Sequence, residues 1–119
     1  MSPWLAVAAA LGAAGVVLGA FGAHALRARL APELLAAWQT GVLYHLLHSV
    51  ALLALALFSQ ATNRPVTLPA ALFTAGIVLF SGSLYLLTGL GQRWAGPITP
   101  LGGLCLIAGW LALLTLRRA

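Results

Sequence analysis

The chain has 119 residues, 62% hydrophobic and only 6% charged, with six arginines, no lysine and a single acidic residue, Glu33. A soluble domain of this length carries about a quarter of its residues as Asp, Glu, Lys or Arg, so lipid rather than water is the solvent for most of this chain. The arginines stand singly or in pairs at Arg27/Arg29, Arg64, Arg93 and Arg117/Arg118. That scatter suits headgroup anchors and excludes nucleic acid as a partner, since phosphate contacts need clustered basic groups.

The first apolar run, 3–26, follows Ser2-Pro3 and contains Gly12, Gly15, Gly19 and Gly22. Steps of three, four and three make one helical stripe with the 3.5-residue repeat of a packing seam. In lipid, small residues let backbones approach, so a neighbouring helix or a second copy is expected against the stripe. The run ends in LGAFGAHAL, where Ala23-His24-Ala25 has the small-x-small form of a signal-peptidase site. The apolar stretch is too long for a cleavable signal and lacks a basic leader, so a membrane helix is expected instead. His24 projects about 160° away from the glycine stripe and falls near the membrane surface.

The second run, 33–60, opens at Pro32-Glu33, where proline suits a first turn and the helix dipole favours the carboxylate. It reads WQTGVLYHLLHSVALL, with Gly41, Tyr44, His45 and His48 on one face. Counting about 1.5 Å per residue puts both histidines near mid-bilayer, where an ionisable residue faces protein or a water-filled cavity and is a candidate site.

The third run, 68–90, supplies hydroxyls at matching depth: Thr74, Ser81, Tyr85 and Thr88 follow steps of seven, four and three, and Ser83 lies beside them. Hydrogen bonding between the second and third spans is the expected use of these groups. Gly41 and Gly82 add small residues for helix packing. The fourth run, 98–116, starts at Thr99-Pro100 and carries Cys105, which allows no intramolecular disulfide.

Each run reaches the length of about 20 residues that crosses a bilayer core. The connections, 27–32, 61–67 and 91–97, are short enough to make consecutive helices antiparallel neighbours. The fold expected is an all-α membrane protein, an up-down-up-down four-helix transmembrane bundle forming one domain over 1–119. Threading puts Arg27, Arg29, Glu33 and Arg93 on one face, and the N-terminus, Arg64, Arg117 and Arg118 on the other. Three arginines against three leave the positive-inside rule without a preference, and insertion in both orientations is a hypothesis. Trp38 and Trp94 fall near the first face, Trp4 and Trp110 near the second, as interfacial belts predict.

The sequence offers several uses for the cluster of Tyr44, His45, His48, Ser81, Ser83 and Tyr85. Enzymatic chemistry is not expected: no carboxylate stands at depth, and a dyad of Ser81 or Ser83 with His45 rests on residue types alone. His45 and His48 form a His-x-x-His pair, but a tight metal site wants three or four ligands, and His24 and Glu33 lie at the surface; no metal or other cofactor is expected. The alternatives are a small oligomeric transporter or channel component, with histidines lining a path and titrating near neutrality, and a metal- or haem-binding redox component.

LGAFGAHAL (18–26), WQTGVLYHLLH (38–48), LFSGSLYLL (79–87) and WAGPITPLGGLCLIAGW (94–110) together resemble a family of small bacterial inner-membrane proteins, the YgdD/YwdK-like group, with relatives among eukaryotic small transmembrane proteins. The resemblance extends over nearly the whole chain in matching order. It implies a four-helix protein of unassigned activity in the plasma membrane, and it brings no catalytic residues with it. The expectation is a non-enzymatic helical bundle with a buried polar cluster, in contact with the lipid bilayer and able to form homo-oligomers.

Overall fold

A computed structural model describes residues 3–117. Ser2 of the expected helix start and Arg118 of the C-terminal pair lie outside the described residues. Four helices are long and apolar enough to cross a membrane: α1 (Trp4–Leu26), α2 (Pro32–Thr62), α3 (Thr67–Gly89) and α4 (Arg93–Leu116). At about 1.5 Å per residue they measure roughly 35–46 Å, against about 30 Å of hydrocarbon. The helices therefore extend beyond the apolar slab or tilt within it.

The chain turns back where local chemistry stops each helix. Pro32 occupies the first turn of α2 and Glu33 stands beside it. At the other end of α2, Asn63 adopts the left-handed conformation (φ 57°), its N–H bonding Ser59 O at 2.8 Å. The Ser59 hydroxyl donates to Arg64 O at 2.8 Å and ties the turn. Helix α3 ends on Gly91, whose φ of 67° lets the Gln92 N–H return to Leu86 O at 3.0 Å. Glycine takes this left-handed φ without a Cβ penalty. The fourth helix starts earlier than position 98, with a 3₁₀ turn at Arg93–Ala95 before the α-helical Ile98–Ala112. The Ala95 N–H bonds Gln92 O at 3.1 Å, so part of the expected loop is already helical.

Neighbouring helices run antiparallel, as their contacts show. A Cβ placed on Gly15, Gly19 or Gly22 would meet Leu46 and His45, Val42, and Trp38 in turn, so α2 numbers fall as α1 numbers rise. Likewise Gly109 faces Phe73 and Gly76 faces Leu106, which sets α4 against α3. At Gly102 the approach is backbone to backbone: an added Cβ would lie 2.6 Å from the carbonyl carbon of Leu79. Glycine is required there for the α3–α4 contact. Gly41 packs on Leu84 and Tyr85, whereas Gly12 and Gly82 have open space where a Cβ would stand.

Two helices contain a π-turn, at Gly22–Leu26 in α1 and at Ile77–Ser81 in α3. The second has a clear geometric use. Phe73, Ile77 and Ser81 are all buried, and Tyr85 is half-buried. Every-fourth spacing drifts by about 40° per step on a regular α-helix; the wider π-turn takes up that drift and keeps the four residues on the bundle side.

The apolar core gathers Ala8, Leu52, Leu55, Val66, Ala70, Phe73, Ile77 and Leu106 from all four helices. Leucines and valines such as Val17, Leu43, Val50, Leu57, Leu104 and Leu111 point outward. That inversion is what a lipid solvent permits: van der Waals contact and hydrogen bonds, rather than apolar burial, must join the helices.

Candidate functional site

The buried face of α2 is built on one seam. Trp38, Gly41, His45, His48, Leu52 and Leu55 are all buried, at steps of three and four, the spacing of a continuous interhelical contact. Both histidines thus occupy core positions. They are 4% and 2% exposed and sit close to the middle of the 31-residue helix.

His45 points to α1 and α3. Its Nε2 lies 2.7 Å from Leu11 O and its Nδ1 2.9 Å from the Tyr85 hydroxyl. A carbonyl oxygen only accepts, so Nε2 carries the proton, and in the neutral ring Nδ1 accepts from Tyr85 O–H. His48 has the opposite tautomer. Its Nδ1 donates to Tyr44 O at 2.7 Å, one turn back on its own helix, and its Nε2 accepts from the Trp110 indole at 2.9 Å. Since an indole N–H only donates, His48 is a neutral imidazole in this arrangement. Two histidines three residues apart therefore serve different helices, α1 and α3 for one and α4 for the other.

The remaining polar groups extend the same pattern. Ser81 donates to Gly41 O at 2.6 Å across α3–α2. Ser83 turns to α4, sharing a 2.5 Å bond with Thr99 while donating to Phe80 O. Trp38 donates to Leu18 O at 3.0 Å across α2–α1, and its ring lies 4.7 Å from that of Tyr85. Side-chain hydrogen bonds thus join α1–α2, α2–α3, α2–α4 and α3–α4. Among the described residues no buried side-chain nitrogen or oxygen lacks a partner.

The structure divides the six cluster residues of the sequence reading. His45, Tyr85 and Ser81 lie along the α2–α3 contact, His48 and Ser83 turn toward α4, and Tyr44 stands apart. Tyr44 is 40% exposed, its ring packs on Phe80 and His48, and its hydroxyl takes no part in the network. Neither serine reaches a histidine, which removes the geometric basis for a Ser/His dyad. His24 is exposed at the end of α1. Among the described residues no group of three or more His, Cys, Asp or Glu side chains comes together.

Trp38 departs from the interfacial-belt expectation by packing inside the bundle, whereas Trp110 stays 46% exposed. Trp38 is 4% exposed and lies between two glycines, with an added Cβ at Gly22 falling 2.5 Å from its Nε1 and one at Gly89 falling 2.7 Å from its ring. Trp110 reaches inward to His48. Trp38 can be buried because its indole N–H finds the Leu18 carbonyl inside the bundle. The three-and-four spacing of Trp38 with Gly41, His45 and His48 carries this signal in the sequence. The steps of four and three from Gly102 through Leu106 to Gly109 similarly mark the α4 packing face, whereas nothing in the sequence marks the carbonyls of Leu11 and Leu18 as acceptors.

Comparison with known proteins agrees with this architecture. The family described as "Protein of unknown function (DUF423)" matches residues 18–103. The UPF0382 membrane protein YwdK of Bacillus subtilis is 44% identical over 98 residues, covering 81% of this chain and 80% of its own. SH2409 of Staphylococcus haemolyticus is 42% identical over 96 residues, 81% and 79% of the two chains. A fission yeast member, C1782.12c of Schizosaccharomyces pombe, is 40% identical over 114 residues, 91% and 95% of the two chains. No solved structure matches the chain. With four apolar helices packed as a bundle and relatives that align over most of their length, the chain belongs to the DUF423/UPF0382 family of multi-pass membrane proteins, whose function is unknown.

Proposed function

We propose that this protein is a non-enzymatic plasma-membrane scaffold: a rigid four-helix unit that acts through its outer surface and assembles with copies of itself. The observation that carries the reading is the state of the two mid-bilayer histidines. All four ring nitrogens are engaged by Leu11, Tyr85, Tyr44 and Trp110. The lone pairs that a metal, a substrate or a transferred proton would use already hold the helices together. The side-chain network joins α2 to each other helix, and each such bond contributes about 0.6–1.7 kcal/mol in membrane hosts.

Self-assembly is supported by Tyr44. Its Cα lies three residues from the middle of α2, about 5 Å along the axis, yet the side chain is 40% exposed on the lipid-facing surface. A phenol hydroxyl in hydrocarbon gains by meeting an acceptor on a second copy.

The test is proton and ion flux in proteoliposomes, with the wild type compared with His48→Asn and His45→Gln. The scaffold reading expects background flux from all three and lower thermal stability in the variants. Flux above that of empty vesicles, abolished by a folded histidine variant, would establish the transporter alternative instead.

A further inference from the structure

The end of the bundle formed by the α2–α3 turn holds a polar pocket of about 480 Å³, lined among others by Ser59, Gln60, Asn63, Arg64 and Thr67. Among the described residues its one charged side chain is Arg64, and the chain's single acidic side chain, Glu33, stands at the opposite end of the 31-residue α2. Arg64 therefore has no carboxylate side chain in its own protein that can neutralise it there. Its guanidinium carbon lies 5.7 Å above the centre of the Phe58 ring, a cation–π arrangement that fixes the head of the side chain while leaving its N–H groups available.

Phe58 is also a wall of a second feature. An apolar groove of about 340 Å³ runs between α2 and α4, with Ala54, Leu55, Phe58, Phe73, Trp110 and Leu116 along it. Leu116 is followed directly by Arg117, which is exposed. The groove is thus flanked at one end by Phe58, which Arg64 covers, and by Leu116, which precedes Arg117, and it runs from there along α2 and α4 to Ala51 and Trp110.

We propose that this pair of features is a phospholipid site: Arg64 and the surrounding polar groups hold the phosphate headgroup of an anionic phospholipid, and one of its acyl chains lies in the α2–α4 groove. The two halves match the two halves of such a ligand in chemistry, and Arg64, which lines the pocket and lies over Phe58 of the groove, links them. A guanidinium offers a phosphate two parallel donors, the neighbouring hydroxyl and amides suit a hydroxylated headgroup, and the groove offers only hydrocarbon and aromatic surface to the tail. Arg117 adds positive charge at the same mouth, which favours a net-anionic lipid over a zwitterionic one.

Native mass spectrometry of the full-length detergent-solubilised protein tests the site, using an equimolar mixture of phosphatidylglycerol and phosphatidylcholine. The wild type is expected to retain phosphatidylglycerol at least threefold over phosphatidylcholine. Arg64→Gln should bring that ratio close to one, and Ala54→Trp, which fills the groove, should remove the retained lipid while thermal unfolding stays cooperative. Should Arg64→Gln not fold, the wild-type ratio and Ala54→Trp decide. A wild-type ratio of one, or lipid retention unchanged by Ala54→Trp, overturns the proposal. Inorganic phosphate distinguishes the source of the anion: if it competes with phosphatidylglycerol and binds Ala54→Trp as well as the wild type, the pocket takes free phosphate and the lipid assignment falls.

Discussion

Replacing Tyr85 with Phe deletes one oxygen at the point where α3 meets His45, and a double-mutant cycle then isolates a single bond. In the wild type Tyr85 O–H donates to His45 Nδ1 at 2.9 Å while His45 Nε2–H holds Leu11 O at 2.7 Å. Tyr85→Phe leaves a buried ring nitrogen without a donor and should cost about 1–2 kcal/mol. His45→Ala removes both bonds and opens a cavity beside Gly15, so about 3–5 kcal/mol is expected. The cavity and the Leu11 bond belong to His45 alone and cancel in the cycle, so the interaction energy reports the Tyr85–His45 bond, expected at about 0.6–1.7 kcal/mol. Equilibrium unfolding in mixed dodecylmaltoside–SDS micelles, followed by far-UV circular dichroism, measures all four proteins. An interaction energy indistinguishable from zero would refute the reasoning, because the two groups would then be neighbours without being coupled.

The glycines separate in a predictable way. Gly102→Ala should destabilise by about 1–3 kcal/mol, since its Cβ would press on the α3 backbone, whereas Gly12→Ala has open space and should be neutral or stabilising by up to about 1 kcal/mol; unfolding in mixed micelles checks both. Single-tryptophan variants should show Trp38, 4% exposed, almost inaccessible to acrylamide and brominated lipid, and Trp94, 61% exposed, strongly quenched. Equal quenching of the two would contradict the buried position of Trp38. Because the sequence leads one to expect three arginines at each face, reporter fusions at the C-terminus should find both orientations. Arg27→Gln with Arg29→Gln should shift the population toward a cytoplasmic C-terminus.

The four helices were legible in the sequence because length and hydropathy alone decide what crosses a bilayer, and the short connections force antiparallel neighbours. Helix ends were legible where a residue type has one conformational use, as with Pro32. The histidines were legible as buried, but their partners were not. His45 and His48 share a helix face, but three residues at 100° each leave their directions about 60° apart, enough to serve different neighbours, and the structure sends one to α1 and α3 and the other to α4. Two of the acceptors, Leu11 O and Leu18 O, are backbone atoms of apolar residues and carry no side-chain signal. The π-turn at Ile77–Ser81 was hidden for another reason: it is visible only as an every-fourth pattern, which a regular helix reading converts to a drift.

The distribution of engaged and unengaged polar groups says where activity is to be sought. Inside the bundle, hydroxyl, indole and imidazole groups are matched donor to acceptor, and among the described residues none is left over in buried positions. A site that binds or transforms something needs groups whose partners are missing until the ligand arrives, so the mid-bilayer histidines are poor candidates despite their chemistry. Groups outside that network include Tyr44, 40% exposed partway along α2, and Arg64, which lines a polar pocket and lies over Phe58 of an apolar groove. The proposed self-assembly would use the first and the proposed lipid site the second. These demands are compatible, since the first lies near mid-membrane and the second at the end of α2, so a lipid held at Arg64 leaves the Tyr44 surface free for assembly. Variants at Tyr44 should therefore alter self-association without altering lipid retention, and variants at Arg64 the reverse.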